Sequence, residues 1–371
     1  MEKEYLDRVM LHPITIHLMN WYSEHKRELP WRESNDPYHI WISEVILQQT
    51  RVDQGIGYYR RFIDRFPNVA TLAAASEEEV LKMWQGLGYY SRARNLHQAA
   101  RQIITLHNGN LPSNYQELIS LKGIGKYTAA AVASIAFNQP HAVLDGNVFR
   151  VLTRLFAIET PIDSPIGMKM IDEIAQSLIP KADPGGYNQA IMDFGALICT
   201  PLQPGCNNCV LRDICMAFAK GDTTVYPVKE RKTKIRNRYF HYFHILFGNH
   251  TYLQKRDKPG IWRNLYELPL IETMQTADLM QLKQTDDFRQ LFPELRGLLF
   301  EPSLTLRHQL THQLIHTQFY RVVIPPEHTF SPPPALLITP CKELHNYPVS
   351  RLTHRYLETI NKNDCGFQKN L

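Results

Sequence analysis

Four cysteines are the residues of this sequence whose spacing most clearly suggests chemistry. They follow the pattern C-x6-C-x2-C-x5-C within seventeen residues, at Cys199, Cys206, Cys209 and Cys215. In a reducing compartment, thiols this close together are typical of metal ligation rather than of disulfide bonds. The four thiolates would suit structural zinc or a [4Fe–4S] cluster, and the residue types leave both open. Cys341 and Cys365 stand alone in the C-terminal part.

Two acidic residues lie in contexts that favour different protonation states. Glu44 lies among apolar residues in WISEVILQQTRV, and burial there would raise its pKa towards the range of a general acid. The alternative for Glu44 is the exposed polar face of a helix. Asp145 and Asn147 open a helix that we predict to begin near Val148. One of them suffices to cap this helix, so the other is available to face a cleft, where the helix N-terminus favours an ionised carboxylate.

A Gly-x-Gly turn, Gly123 to Gly125, directly precedes an alanine-rich segment in LKGIGKYTAAAVASIAF. Two glycines around an apolar residue permit a tight turn whose backbone N–H groups, at a helix N-terminus, can face a phosphate. The alternative is an ordinary turn between two helices.

The elements that would position these residues change in kind along the chain. From residue 14 to about 217, apolar residues recur at helical spacing, which predicts an all-α region. Beyond residue 238, segments such as YFHYFHILF and HTQFYRVVIP resemble strands broken by Pro and Gly and predict an α+β region. Between the two regions, KERKTKIRNR carries six basic residues and one acid. We interpret it as a linker, which is either a solvated connector or a contact to DNA phosphates.

Length and composition exclude several classes of protein. A chain of 371 residues is too long for one ordinary core, which favours two domains. With 44% apolar and 21% charged residues, and no apolar run of about eighteen residues, neither disorder nor membrane spanning is expected. The segment MEKEYLDRVM lacks the apolar core of an export signal, so we expect a cytoplasmic protein. The net charge of +5 permits an anionic partner.

Together these motifs resemble one family. The combination of LPWR, WISEVILQQT, GLGYYSRARNL, GIGKYTAAA, LDGNVFRV and the cysteine spacing is similar to the MutY-type adenine DNA glycosylases of the helix-hairpin-helix glycosylase superfamily. The resemblance covers residues 14 to about 217 nearly continuously. It implies a mainly α fold with a six-helix barrel and an iron–sulfur cluster domain, in which the four clustered cysteines hold a [4Fe–4S] cluster.

The resemblance is weaker in the C-terminal part. The segment GIWRNLYELP is similar to a MutT-like, Nudix-related α+β domain that recognises 8-oxoguanine. The REXXEE helix that binds metal in Nudix hydrolases is missing from the sequence, so nucleotide hydrolysis is not expected. We therefore expect a catalytic region at 1–227 with its cluster loop at 199–215, a basic linker at 228–237 and a recognition domain at 238–371.

The resemblance implies removal of adenine opposite 8-oxoguanine, and more slowly opposite guanine, from double-stranded DNA. The adenine must be flipped out, because its glycosidic bond is inaccessible inside the base stack. Glu44 would protonate adenine N7, Asp145 would stabilise or transiently trap the oxocarbenium-like sugar, and Tyr127 and Asn147 would orient this machinery. Endonuclease III-like relatives use a nucleophilic lysine where this chain has Tyr127, which implies a glycosylase without lyase activity.

The resemblance also implies contacts to DNA, among which Tyr89 would insert as an aromatic wedge. The positions expected around the lesion and its backbone are Gln49, Thr50, Leu87, Tyr89, Gly123 and Gly125. Those expected near the adenine pocket are Trp31, Arg32, Leu47 and Gln189. In the C-terminal part, Leu310, Thr311 and His312 stand where the family usually has Phe-Ser-His, which leaves the packing role of the Phe without a counterpart.

Two other functions compete with this interpretation. An endonuclease III-type glycosylase/lyase for oxidised pyrimidines is disfavoured by Tyr127 and by the C-terminal domain. A non-catalytic helix-hairpin-helix DNA-binding protein is disfavoured because binding alone requires neither Glu44 nor Asp145. The expected partner is duplex DNA with adenine opposite 8-oxoguanine or guanine, bound by a monomer that has no membrane association and lies in the nucleoid when bound to DNA.

Overall fold

A computed structural model describes residues 12–230, 235–294, 297–325, 328, 330, 332–360 and 365. These residues form two compact units. The N-terminal unit consists of the residues up to Ala74 and those from Asn95 to 230. The C-terminal unit consists of Ala75–Arg94 and the residues from 235 onwards.

The chain up to residue 230 is helical, as predicted. Its helices are α1 (Pro13–His25), α2 (Pro37–Leu47), α3 (Val52–Arg65), α4 (Val69–Ala74), α5 (Glu77–Met83), α6 (Ser91–His107), α7 (Tyr115–Ser120), α8 (Lys126–Phe137), α9 (Gly146–Leu155), α10 (Pro165–Leu178), α11 (Pro184–Leu197) and α12 (Met216–Ala219). Short 3-10 turns cover Pro30–Arg32, Cys206–Asn208 and Arg212–Ile214. No helix in the described part of the chain combines the length and apolarity that a membrane crossing requires.

The helices that carry the candidate site begin at local signals in the sequence. Asp36 accepts a hydrogen bond from the backbone N–H of Tyr38, and Pro37 starts α2, so both cap signals act at the same end. Asp183 and Pro184 do the same for α11. The apolar positions of α9 pack into the main core of the N-terminal unit, where they are at most 3% exposed: Val148, Val151, Leu152 and Leu155. Helix α9 begins at Gly146, two residues earlier than predicted.

The C-terminal unit is built on a sheet, which confirms the predicted α+β character. Its strands are β1 (Arg236–Phe247), β2 (His250–Lys255), β3 (Tyr266–Glu267), β4 (Leu270–Thr273), β5 (Leu299–Gln309), β6 (Gln313–Val323) and β7 (Leu336–Pro340). The order is β3-β2-β1-β6-β5, with β4 paired to β1 and β7 paired to β2. Strands β1 and β6 run parallel in the middle of the sheet. The helices that follow residue 235 are α13 (Leu279–Leu282), α14 (Asp286–Leu291) and α15 (Arg351–Thr359), and α5 belongs to the same unit.

The borders of the units differ from the predicted 1–227, 228–237 and 238–371. Residues 75–94, expected in the catalytic region, pack in the C-terminal unit. Lys82 Nζ donates to the carbonyl oxygen of Tyr347 over 3.3 Å, and Tyr90 donates to that of Val349 over 3.1 Å. These tertiary hydrogen bonds leave no trace in local sequence patterns. Arg236, placed in the linker by its charge, begins β1. Residues 231–234 of that linker lie outside the described residues.

Cys341 and Cys365, which stand alone in the sequence, come together in the C-terminal unit. Their Cα atoms are 4.7 Å apart and their sulfurs form a disulfide that spans 24 residues. None of the four clustered cysteines forms a disulfide.

Candidate active site

A cavity of about 390 Å³ in the N-terminal unit collects most of the predicted chemistry. It is of the size that holds a small molecule or a single nucleobase. Ten predicted residues line it: Trp31, Arg32, Glu44, Leu47, Gln49, Thr50, Tyr127, Asp145, Asn147 and Gln189. They come from α2, α8, α9 with its N-cap, α11 and the segments on either side of α2, so residues that lie up to 158 positions apart in the chain meet at one place.

Glu44 is the buried acid of this cavity. It lies in α2, where eight of the eleven residues are buried, and only 7% of Glu44 is exposed. The alternative position on an exposed polar face is therefore wrong. Burial raises the pKa of Glu44 to about 7; the charge of Asp145 contributes to the rise, whereas the hydrogen bond from Tyr127 and the charge of Arg32 oppose it. Tyr127 Oη donates to Glu44 Oε2 over 2.6 Å. A carboxyl group with this pKa can give up a proton near neutral pH.

Asp145 is the N-cap residue of α9 and lines the cavity at the same time. Its Oδ1 accepts from the backbone N–H of Val148 over 2.8 Å, and its Oδ2 accepts from Asn147 Nδ2 over 2.7 Å. Burial raises the pKa of Asp145, and these hydrogen bonds together with the charge of Arg150 oppose the rise. One residue therefore performs the two tasks that we expected Asp145 and Asn147 to divide.

A charged cluster that the sequence did not predict forms a further part of the cavity wall. Asp193 in α11 has no solvent exposure, and Arg27 and Arg32 both pair with it. Arg32 Nη1 donates to Asp193 Oδ2 over 2.7 Å, and Arg27 Nε donates to Oδ1 over 3.0 Å. Burial alone would raise the pKa of Asp193, but the hydrogen bonds from Arg32 and Arg27 outweigh burial, so the pKa is lowered and the carboxylate is ionised at neutral pH.

Gln189 lies one helical turn before Asp193 and is oriented by a tyrosine. Tyr22 Oη donates to Gln189 Oε1 over 2.7 Å. Because the amide oxygen is occupied in this way, the amide nitrogen of Gln189 remains as the hydrogen-bond donor that can serve a molecule in the cavity. The Arg32 guanidinium lies 5.7 Å from the centre of the Tyr22 ring, so this tyrosine also supports the charged cluster.

Two arginines of α9 connect the cavity to the cysteine loop. Arg150 Nη2 donates to Asn147 Oδ1 over 2.8 Å, and its Nε donates to the carbonyl oxygen of Cys199 over 2.7 Å. Arg154 Nη1 lies 3.4 Å from Cys199 Sγ and donates to the carbonyl oxygen of Thr200 over 2.7 Å. A displacement of the cysteine loop would therefore act directly on the residues around Asp145.

The donor set of the cysteine loop fits a metal centre with four thiolate ligands. All its candidate ligands are thiols, those of Cys199, Cys206, Cys209 and Cys215. Four thiolates suit a [4Fe–4S] cluster and also structural zinc.

The predicted Gly-x-Gly turn connects α7 and α8, so these elements form a helix-hairpin-helix. The two glycines differ in what they tolerate. Gly123 has φ +77°, and a Cβ there would lie 2.5 Å from Asn95 Cβ, so no other residue fits without movement. Gly125 is the N-cap residue of α8 in extended conformation, and a Cβ there would meet open space. Neither glycine lines the cavity.

The remaining predicted positions lie in the C-terminal unit. Leu87 is buried, whereas Tyr89 is 49% exposed and has a left-handed backbone, φ +46°. Thr311 and His312 are exposed in the three-residue loop between β5 and β6. Tyr89 Oη lies 2.5 Å from Thr311 Oγ1, so two positions that are 222 residues apart are neighbours within this unit.

Sequence reasoning missed Arg27, Asp193 and Arg150. A signal existed for two of them: Asp193 is the only charged residue of α11 and lies four positions after Gln189, and Arg150 lies three positions after Asn147. Arg27 gave no such signal, because its segment has no regular periodicity and only the tertiary fold brings it to α11.

Comparisons with known proteins agree with this architecture. Residues 42–185 match the family model described as HhH-GPD superfamily base excision DNA repair protein, and residues 241–359 match the NUDIX domain. An adenine DNA glycosylase of Buchnera aphidicola subsp. Baizongia pistaciae is 40% identical over 254 residues, which is 68% of this chain and 72% of that protein. One from Buchnera aphidicola subsp. Acyrthosiphon pisum is 32% identical over 300 residues, covering 81% and 83%.

A solved structure supports the fold of the N-terminal half. A thermostable thymine-DNA glycosylase is 29% identical, with a TM-score of 0.53, and the match covers 59% of this chain and 99% of that one. The predicted fold class, a helix-hairpin-helix glycosylase followed by a Nudix-like α+β domain, is confirmed. The chain belongs to the adenine DNA glycosylase family and is a DNA glycosylase of base excision repair.

Proposed function

We propose that this enzyme hydrolyses the glycosidic bond of adenine opposite 8-oxoguanine, and more slowly of adenine opposite guanine, in duplex DNA. The observation that carries the proposal is the pairing of two carboxyl groups in one base-sized cavity, Glu44 with a pKa of about 7 and Asp145 at a helix N-terminus. Adenine reaches the cavity by leaving the base stack, since the glycosidic bond is shielded inside the duplex.

Glu44 is the general acid in this mechanism. It donates its proton to adenine N7, which makes the base a better leaving group as the glycosidic bond breaks. Tyr127 Oη holds one carboxylate oxygen of Glu44, so the other oxygen is free to face the base. The electrons of the bond leave with adenine, and the sugar becomes an oxocarbenium-like cation.

Asp145 stabilises that cation. Its carboxylate is held by the hydrogen bonds from Val148 and Asn147, and therefore it needs little rearrangement as positive charge develops on the sugar. Water then attacks the anomeric carbon, and an abasic site remains in the strand. Asn147 and Tyr127 orient the two carboxyl groups.

The reaction stops at the abasic site, because the chain supplies no amine at the position from which a lyase would attack. Tyr127 occupies that position and its hydroxyl is engaged with Glu44. The neighbouring Lys126 is the first residue of α8, and its side chain does not line the cavity. Strand cleavage by β-elimination requires a Schiff base with such an amine.

Recognition of the opposite base belongs in this proposal to the C-terminal unit, which includes residues 75–94. Tyr89 has an exposed side chain and a left-handed backbone conformation, and it is suited to enter the base stack. The neighbouring hydroxyl of Thr311 can hydrogen-bond to 8-oxoguanine. Gln49 and Thr50 line the cavity. The Gly123 to Gly125 turn, at the N-terminus of α8, faces backbone phosphates in this proposal.

The four clustered cysteines hold one [4Fe–4S] cluster in this proposal, and its part in the enzyme is structural. Arg150 and Arg154 tie the cysteine loop to α9, so the loop fixes the helix that begins at Asp145. The cluster supplies no redox step, since hydrolysis of a glycosidic bond moves no electrons to an acceptor.

Single-turnover adenine release from four duplexes tests the proposal, with adenine opposite 8-oxoguanine, guanine, cytosine or thymine and with strand breaks scored before and after alkali. Fast release opposite 8-oxoguanine, slower release opposite guanine and breaks only after alkali are expected. Breaks before alkali, in a preparation free of nuclease, would favour the endonuclease III-type alternative. A protein that binds these duplexes and releases no adenine would be the non-catalytic alternative.

A further inference from the structure

Asp193 lies where it can organise the active-site cavity without being one of the two reacting carboxyl groups. It has no solvent exposure, and both of its oxygens accept hydrogen bonds from guanidinium groups. The two arginines come from a segment, 26–36, that contains only one short 3-10 turn. Asp193 thus attaches an irregular segment of the cavity wall to a regular helix, α11.

The hydrogen-bond pattern fixes both guanidinium groups. Arg32 uses Nη1 and Nη2 on the two oxygens of Asp193, 2.7 and 3.0 Å away, and its Nη1 also donates to the backbone oxygen of Arg27 over 3.2 Å. Arg27 binds Asp193 Oδ1 through Nε, 3.0 Å away, and also through Nη2. Planar guanidinium groups held at two nitrogens have little freedom to rotate.

Asp193 also affects the net charge of the cavity lining. Its titratable lining groups are Arg27, Arg32, Glu44, Tyr127, Asp145 and Asp193. The two positive guanidinium groups balance the negative carboxylates of Asp145 and Asp193, so the net charge of these groups is zero when Glu44 is protonated. Without Asp193 the same set would carry one positive charge, which would favour the loss of the Glu44 proton.

The groups that shift the pKa of Glu44 come from three different parts of the chain. Tyr127 of α8 donates a hydrogen bond, Asp145 at the start of α9 adds a negative charge, and Arg32 adds a positive charge. Asp193 reaches Glu44 through Arg32, whose charge it offsets.

We propose that Asp193 is a positioning residue for adenine excision: it fixes Arg27 and Arg32 in the cavity wall and offsets their charge, so that Glu44 keeps its proton at the working pH. This inference rests on the proposed function, because it takes Glu44 as the general acid. It assigns no contact between Asp193 and adenine.

The test measures single-turnover adenine release from a duplex with adenine opposite 8-oxoguanine, from about pH 5 to pH 10, for Asp193→Asn and Arg27→Gln in the full-length enzyme. Asp193→Asn is expected to move the alkaline limb of the profile to lower pH by about one unit and to lower the plateau rate at least about tenfold. Arg27→Gln removes a positive charge, so its alkaline limb moves to higher pH. The double variant returns the limb to near its wild-type position.

A matched control is Asp183→Asn, the same substitution on an exposed residue at the start of the same helix. Asn is also a good N-cap residue, so this variant keeps the wild-type profile. A purely structural role of Asp193 would lower the rate without moving the two limbs in opposite directions, and that result would overturn the inference. Arg27 is partly exposed, so Arg27→Gln is expected to fold even if Asp193→Asn does not. An alkaline limb that stays at the wild-type position in Arg27→Gln would then overturn the charge balance on which the inference depends.

The proposed function and the role of Asp193 can be refuted separately. If the wild-type enzyme releases no adenine from this duplex, the proposed function is wrong. If the wild-type enzyme does release adenine and the limbs of both variants coincide with its own, the proposed function stands and the role of Asp193 is wrong.

Discussion

The hydroxyl of Tyr127 sets the pH range in which Glu44 can act as an acid. Tyr127 Oη donates to Glu44 Oε2 over 2.6 Å, and this bond lowers the pKa of Glu44 against the larger upward effect of burial. The bond stabilises the ionised carboxylate, so its removal in Tyr127→Phe raises the pKa. A hydrogen bond to a charged group contributes about 1.5–3 kcal/mol, which corresponds to about one to two pH units. The alkaline limb of the excision profile in the variant is therefore expected to lie about one to two pH units above that of the wild type.

The assay is single-turnover adenine release at pH 6 and pH 8 for each enzyme. With a pKa of about 7, the protonated fraction of Glu44 in the wild type falls about tenfold between these pH values. In Tyr127→Phe the corresponding fall is about twofold or less. Taking the ratio within each enzyme removes any change of the plateau rate from the comparison.

The matched control is Tyr187→Phe. Tyr187 is buried in the same unit, and its hydroxyl has no hydrogen-bond partner among the described residues, so its removal leaves the pH profile unchanged. The reasoning is refuted if the rate of Tyr127→Phe also falls tenfold from pH 6 to pH 8, or if its alkaline limb moves to lower pH. In either case the hydrogen bond from Tyr127 to Glu44 does not control excision.

Four further predictions concern chemistry, folding, recognition and the metal centre. Asp145→Asn should reduce adenine release by about 10²–10³ and keep duplex affinity and folding, because Asn still caps α9; release at the wild-type rate would remove Asp145 from the mechanism. Gly123→Ala should lower the free energy of unfolding by about 1–3 kcal/mol and Gly125→Ala by less than about 0.5 kcal/mol in denaturant titrations, and equal effects would contradict the steric difference between them. Thr311→Ala should reduce the ratio of release opposite 8-oxoguanine to release opposite guanine, and Thr311→Ser should keep it; a ratio unchanged in both would exclude the hydroxyl. The purified protein should contain iron and acid-labile sulfide in equal amounts, and active protein loaded only with zinc would exclude the cluster.

Much of the architecture could be predicted from local patterns. The apolar stripe of α9, the strand-like segments after residue 238 and the Gly-x-Gly turn each depend on residues a few positions apart, and each gave an element that the structure contains. Glu44 could be recognised as a candidate acid because its immediate neighbours in the chain are apolar. Errors occurred at element borders, as at Gly146 and Arg236, where capping and strand pairing decide.

The sequence by itself determined which residue types are present and which short segments are helical or extended, because those properties arise from neighbours in the chain. Only the tertiary structure decided that Asp193 pairs with Arg27 and Arg32, that residues 75–94 pack in the C-terminal unit, and that Tyr89 lies beside Thr311. Such contacts join residues 161 to 265 positions apart through shape and charge complementarity. No local periodicity encodes that complementarity, since it exists only once the separate elements have packed.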